Sequence, residues 1–175
     1  SANRFMEVSP TRAEHIHPDL HRGLAYILNG GPCSVGLEST VLDLTGEPTI
    51  LRHGEISAEQ IAEVIGGEVK EKVKEEASGP RVAPGQYRRH YAPKTKLLLV
   101  EEFPENGKGL RIAQSASSLQ ISMPGNPRDY ARELYEALHR LDQFGLEFAY
   151  VELPPVGVPG WEAVRERLTK AAEPA

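Results

Sequence analysis

A single cysteine, Cys33, means that no internal disulfide can staple this fold. No apolar run approaches the length of a membrane span. The first residues, SANRFMEVSP, lack the basic and apolar regions of a secretory leader. Together these absences lead to the expectation of a cytoplasmic protein with no membrane association. Walker-type glycine loops and paired-cysteine zinc motifs are missing. Excess positive charge is missing too: the net charge of −5 excludes a protein that coats nucleic acid non-specifically, so any basic group must act locally. One absence is itself local. No Asp or Glu occurs between Ser78 and Lys96, although acids outnumber bases overall.

What is present reads as a globular α/β chain. Hydrophobic residues make up 39% and charged residues 26% of 175 positions, enough for one medium domain or two small ones with cores of their own. A short helix is expected after Ser9 or Thr11, with Glu14 in the reach of a capping box from Thr11. GLAYILNGGPCSVGLESTVLDL reads as a strand, a glycine–proline turn and a second strand over 39–44. TILRHG is another strand, and SAEQIAEVIGG is an amphipathic helix with Ser57 as N-cap, Gln60 three residues on and glycine after its end. EVKEKVKEE is an edge strand or a solvated segment. Beyond the Pro- and Gly-rich stretch 78–93 the pattern changes. TKLLLV suits a buried parallel strand, GLRIAQS and EFAYVELP are two more, and two helices are expected in NPRDYARELYEALHRLDQFG and GWEAVRERLTKAA. Tyr130, Leu134, Leu138 and Leu141 fall on one face of the first of these helices. Strand–helix alternation over 94–175 implies a small Rossmann-like α/β domain with a largely parallel sheet.

Four stretches could carry chemistry: SAN with SPT, GLEST, LRHG and APGQYRRHYAP. Hydroxyls and amides at strand ends suit an amino acid or a nucleotide phosphate, and Arg52 could set a planar fork against phosphate oxygens. Equally, Ser39 and Thr40 could simply begin a strand and Arg52 end one. His15, His17 and His21 invite a metal reading, but Pro18 separates the last two and His15 faces elsewhere, so no metal site is expected. Cys33, in a turn without a histidine nearby in sequence, reads as inert.

In order and near-spacing, SAN…SPT, GLESTVLDLTG, LRHGEIS and APGQYRRHYAP resemble the threonylcarbamoyl-AMP synthase family. The resemblance is to its long form, in which a YrdC-type domain is joined by a linker to a smaller C-terminal domain. YARELYEALHRLDQFGLEFAYVELPP resembles that second domain, so the likeness spans nearly the whole chain. It implies a partial YrdC-type α/β domain with a twisted sheet over 1–74, a linker and lid over 75–93, and the small α/β domain over 94–175. It also implies joining of threonine, bicarbonate and ATP, with magnesium, into threonylcarbamoyl-AMP and pyrophosphate. No tightly bound cofactor is implied, and the product passes to tRNA-modifying transferase proteins. Carried over, Ser1 and Ser39 resemble threonine contacts; Asn3, Thr11 and Arg52 resemble ATP contacts; His90 and Tyr91 would approach the nucleotide from above. No acid–base group is identified by the likeness. The chemistry is mainly positioning and charge stabilisation with water excluded, which a basic, tyrosine-bearing lid would serve.

The chain differs from the family pattern at Asn29, where aspartate is common, and at Gln86, Tyr87 and Arg88, where methionine–lysine–tyrosine is commoner. A basic upstream segment that grips the triphosphate in the family is not among these residues. Ser1, Asn3, Thr11, Ser39 and Arg52 are therefore expected to form one wall of a cleft, and residues 1–175 alone are not expected to be a competent synthase. Two alternatives stay open: an RNA-binding module using Arg81, Arg88, Arg89, Lys94 and Lys96, and a carbamoyl-transfer domain acting on another substrate.

Overall fold

Two separate sets of strands follow from the two halves of the sequence. The structure is a computed structural model that describes residues 2–71, 87–114 and 118–174. In the first half, β1 (Val41–Asp43) and β2 (Thr49–Arg52) pair antiparallel around the TGEP turn, Leu42 opposite Ile50. The register slips by a bulge between Val41 and Leu42, immediately beyond Ser39 and Thr40. α1 (Ala58–Ile65) then crosses back to β3 (Lys70–Glu71), which lies parallel to β2 and gives the order β1-β2-β3. The helix begins where the sequence reading placed it. The Ser57 side chain accepts from the Gln60 N–H, the Gln60 side chain accepts from the Ser57 N–H, and Gly66 closes the end in a left-handed conformation.

The second half forms one wholly parallel sheet in the order β4-β7-β5-β6, from β4 (Lys96–Val100), β5 (Gly109–Ile112), β6 (Gln120–Met123) and β7 (Phe148–Glu152). α2 (Pro127–Gln143) links β6 to β7, and α3 (Glu162–Ala172) follows β7. Asn126 caps α2 by accepting from the Asp129 N–H, with Pro127 at the first helical position. The expected stripe Tyr130, Leu134, Leu138 and Leu141 is buried in one cluster with Leu97, Leu110, Ile121, Ala149 and Val151 of the sheet and Val164 and Leu168 of α3. Burial of each large aliphatic here contributes about 1.5–3 kcal/mol. By the two-residue strand period, the opposite sheet face carries Phe148 and Tyr150, packed edge-to-face, and Arg111 stacked 5.1 Å over the Phe103 ring.

Two expectations about strands need correction. GLAYIL is not a strand; Tyr26 is 87% and Leu28 92% exposed, and no described strand lies beside them to take their backbone hydrogen bonds. β6 was not anticipated, because parallel neighbours usually need a helical crossover. Here β5 and β6 are four residues each, so residues 113–119 suffice to return the chain.

The N-terminal segment lies across the outer faces of α2 and α3, making a third layer. Val8 joins the main core cluster, Glu7 bridges to Ala92, and Arg12 pairs with Glu136 of α2 at 2.7 Å. The closest approach is at Gly36 (φ +86°), where a Cβ would sit 2.3 Å from the Arg132 carbonyl oxygen. Of the stretch expected to be a linker and lid, 75–86 lies outside the described residues, and its end is anchored. Tyr91, Ala92 and Pro93 are buried, the His90 N–H donates to Lys170 and the Ala92 N–H to Met6. Asp142 of α2 then accepts the N–H groups of Lys94 and Thr95 and so fixes the entry to β4.

Gly109 is the steric key of the second sheet. At φ +139° a Cβ would lie 1.9 Å from the Tyr150 carbonyl oxygen. Gly109→Ala is expected to lower the urea midpoint by the equivalent of more than about 1 kcal/mol. Gly23→Ala, where nothing lies within 4 Å, should leave it nearly unchanged. Equal midpoints for the two variants would contradict the assigned β5–β7 register.

Candidate functional site

The strand ends that carry Ser39 and Arg52 are drawn together by the arginine itself. Arg52 leaves β2 on the side of β1, and its Nε and Nη2 donate to the Ser39 carbonyl at 3.1 and 2.8 Å. Gly54 permits this approach: a Cβ there would lie 2.3 Å from the Thr40 nitrogen. Arg52 is buried, as a side chain committed to the backbone should be. The fork expected to grip phosphate therefore spends two of its donors on holding Ser39 in place. The Thr40 hydroxyl donates to the Ile56 carbonyl and ties the same strand end to the start of α1.

Beneath this pair lies a buried polar network that sequence reasoning missed. Glu38 receives hydrogen bonds from the Ser9 hydroxyl at 2.6 Å, the Tyr135 hydroxyl at 2.8 Å and Arg167 Nε at 3.2 Å. Arg167 is fully buried; its Nη2 donates to the His53 carbonyl at 2.8 Å and its guanidinium lies 5.0 Å over the Tyr91 ring. Burial pushes the Glu38 carboxyl upward, but Arg167 and the two hydroxyls outweigh it and hold its pKa below the usual value. Tyr135, buried beside that carboxylate, is pushed well above the usual phenol value. One trace of the network was legible: Arg167 falls on the same helical stripe as Val164, Leu168 and Ala171, a charge where the period calls for an apolar residue.

His53 anchors the other side. Its Nδ1 lies 2.9 Å from Glu166, while its Nε2 is 3.5 Å from Glu71, beyond a good hydrogen bond. Glu166 also pairs with Lys170 one turn along α3. The hydrogen bond to Glu166 raises the His53 pKa above 6.5, against the opposing effect of burial. Burial favours the neutral Glu166, yet His53, Arg167 and Lys170 together bring it down to about 2.

The remaining predicted residues take different places. Ser1 lies outside the described residues. Asn3 donates to the Glu7 carbonyl and its Oδ1 is buried without a partner; His90 Nδ1 is likewise buried and unpartnered. Phe5 sits between them in the chain and packs edge-on to His90 and Tyr87, with ring centroids 6.3 and 4.8 Å away. Tyr91 does not overhang an open site. It is 1% exposed, has φ +59°, and is held by Arg167 over its ring and by Tyr135 stacked at 5.6 Å. Burial raises its pKa. Thr11 is also buried, and no capping box forms with Glu14. Its hydroxyl meets His15 Nδ1 at 3.2 Å and Glu136 at 3.5 Å, and His15 stacks on His139 of α2 at 3.8 Å. Among the described residues no group of three His, Cys, Asp or Glu side chains is placed to hold a metal ion. A cavity of about 340 Å³ opens beside the network, lined by Ser9, Cys33, Ser34, Gly36, Glu38 and Tyr135, and neither Ser39 nor Arg52 reaches it. Of the basic patch, Arg81 lies outside the described residues, Arg88, Lys94 and Lys96 are exposed, and Arg89 is half-buried.

Comparison with known proteins gives this arrangement its context. A family model described as "Threonylcarbamoyl-AMP synthase, C-terminal domain" matches residues 56–173, and one described as "Telomere recombination" matches residues 1–54. The chain belongs to the threonylcarbamoyl-AMP synthase family. It is 31% identical to the threonylcarbamoyl-AMP synthase of Bacillus subtilis and 32% identical to that of Pyrococcus abyssi, in each case over 98% of this chain and 56% of the relative. A crystal structure of P. abyssi Sua5 complexed with L-threonine superposes with a TM-score of 0.77 at 30% identity, covering 98% of this chain and 56% of that one. The chain thus spans a little over half the length of these relatives. The likeness bears out the expected α/β fold, and no described helix is long and apolar enough to cross a membrane.

The His53–Glu166 pair sets a pH dependence. A raised His53 pKa contributes stability that is fully present below pH 6.5 and lost as pH rises through the folded value. The lowered Glu166 pKa contributes stability present above pH 4.5 and lost as pH falls toward 2. The pair therefore contributes most between these limits. Burial lowers the pKa of His15 and His139, so they act in the opposite sense and cost stability as pH falls below 6.5. An NMR titration should place His53 above 6.5 in the unsubstituted protein and lower it in Glu166→Gln. An unmoved His53 midpoint would rule out Glu166 as the cause.

Proposed function

We propose that this chain acts in L-threonylcarbamoyladenylate synthesis, in which threonine, bicarbonate and ATP yield threonylcarbamoyl-AMP and pyrophosphate for tRNA modification. One observation carries the reading: the Ser39 strand end is locked to Arg52 inside a chain whose similarity to named synthases runs over 98% of its length. On this reading Ser39, together with Ser1, meets threonine, while Asn3, Arg52 and His90 face ATP, which enters with Mg²⁺. The buried, unpartnered Asn3 Oδ1 and His90 Nδ1 support this assignment, since an unsatisfied buried polar atom costs about 1–3 kcal/mol until a ligand completes it. Thr11 and Tyr91 support the wall from behind, the Thr11 hydroxyl being turned to His15 and Glu136 and the Tyr91 ring packed against Arg167 and Tyr135.

The chemistry asks little of acid–base groups. Carbamate attack on the α-phosphorus expels pyrophosphate without a covalent enzyme intermediate. The rate then depends on holding the carbamate of threonine in line with the phosphate and on screening the charge that develops there. Two strand ends fixed to one another by a guanidinium suit this task, because an error of about 1 Å in the separation of the reactants can cost on the order of a hundredfold in rate. The tRNA-modifying transferases would take the product, and no contact of this chain with RNA is needed.

Calorimetric titration of L-threonine and of a non-hydrolysable ATP analogue into the full-length protein tests the assignment. Ser39→Ala should weaken threonine by the equivalent of about 1–3 kcal/mol and the nucleotide less. Arg52→Ala should weaken both, because it removes a charge and releases Ser39. An Arg52→Ala protein that bound both ligands normally would overturn the reading.

A further inference from the structure

The network beneath Ser39 and Arg52 is a closed ring. Ser39 follows Glu38 in the chain, and its carbonyl accepts from Arg52. His53 follows Arg52, and its carbonyl accepts from Arg167, which returns to Glu38. Every member but Arg167 belongs to the two strand ends. Arg167 comes from α3, on the far side of the linker, and is fully buried there. We propose that Arg167 is the positioning residue of this site: by spanning Glu38 and His53 it sets the separation of Ser39 and Arg52, and so couples threonine binding to nucleotide binding. This rests on the reading that Ser39 and Arg52 face the substrates.

Several observations require a guanidinium here rather than any buried group. The two acceptors are of different kinds, a carboxylate and a main-chain carbonyl, and they come from different strand ends. A planar fork reaches both at once, with Nε on Glu38 and Nη2 on His53; the single ammonium of a lysine cannot reproduce that span. The face of the same plane lies over Tyr91, which stacks on Tyr135, itself a donor to Glu38, so Arg167 reaches Glu38 by a second route. Tyr91 keeps a left-handed backbone, a strained state for a bulky residue that persists only when its surroundings over-determine it. An apolar residue on the α3 stripe would also fill the space, since such exchanges of buried ion pairs are often neutral or stabilising. Packing alone thus gives no reason for a charge at this position. Geometry does.

The test uses the full-length protein and compares Arg167→Lys with Leu168→Ala, a core-facing change on the same helix that lies outside the ring. Melting temperature, L-threonine affinity, ATP-analogue affinity and the effect of each ligand on the other are read for both. In the unsubstituted protein each ligand should strengthen binding of the other, and independent binding there would overturn the coupling. Arg167→Lys should weaken threonine on the order of tenfold or more and abolish that enhancement. Leu168→Ala should lower the melting temperature while leaving affinity and coupling intact. Equal losses of affinity in both variants would reduce Arg167 to a structural residue and overturn the proposal. Should Arg167→Lys not fold, Glu38→Ala removes the acceptor of Arg167 Nε and opens the ring from its other end, with the same expected loss of coupling. Ser39→Ala separates the two levels. If it weakens threonine while the ring variants do not, the positioning role fails alone; if it has no effect, the substrate assignment fails and the positioning role with it.

Discussion

The contact on which the other layers depend is the meeting of Glu38 with Arg167 between the N-terminal segment and α3. Arg167 is fully buried and its charge needs a partner there, because an uncompensated buried charge is strongly destabilising, whereas Glu38 keeps a quarter of its side chain exposed. The surroundings meet most of the requirement, although Arg167 Nη1 is buried without a hydrogen-bond partner, 3.6 Å from Glu166. Ser9 and Tyr135 supply the hydrogen bonds that the carboxylate has left after Arg167, and the His53 carbonyl and the Tyr91 ring take up the guanidinium. Once that set is complete, the segment has little freedom. Gly36 must lie against the α2 backbone for Glu38 to reach inward, and any side chain there would hold the segment off the helix.

This explains why α2 is buried on two sides that differ in chemistry. The side facing the sheet is the apolar stripe, Tyr130, Leu134, Leu138 and Leu141, held by area alone. The other side offers Tyr135, Glu136 and His139, each of which meets a particular partner from the segment: Glu38, Arg12 and the Ser9 carbonyl. Apolar contact is tolerant of small shifts and polar contact is not. The first fixes the domain, the second fixes the register of what is laid upon it. That division places the discriminating geometry next to Ser39 and Arg52.

The legible parts of the fold were those determined within a few residues of themselves. The Ser57–Gln60 capping box, Gly66 after α1 and the stripe of α2 each depend on spacings of three or four positions, and each was readable. β2 was readable from TIL, and β4 from LLLV. GLAYIL had an equally good strand pattern, yet strandedness depends on a neighbour, which a local pattern cannot supply. β6 failed for the converse reason: its pairing with β5 is decided by the brevity of both strands. The site behaved the same way. Ser39 and Arg52 could be picked out by residue type, and their direct contact could not, because it depends on a bulge and on Gly54 at the facing strand end. Glu38 and Arg167 stand 129 positions apart, and no local rule joins them.

The same distance in sequence bears on what the C-terminal unit contributes. If α3 served only to cover the parallel sheet, its residues facing the N-terminal segment could be any that water or an apolar neighbour would accept. Instead a single turn presents the side chains of Glu166 and Arg167 toward His53 and Glu38, and the Lys170 carbonyl just beyond accepts from the His90 N–H. His53 and Glu38 are the chain neighbours of Arg52 and Ser39, and the same helix holds Tyr91 beneath the Arg167 guanidinium. On the proposed reading, a domain placed in this way acts on the site through its supports rather than through the reactants. On that reading its displacement would shift Glu38 and His53 relative to one another, so binding at one strand end would be felt at the other without any part of α3 touching a substrate.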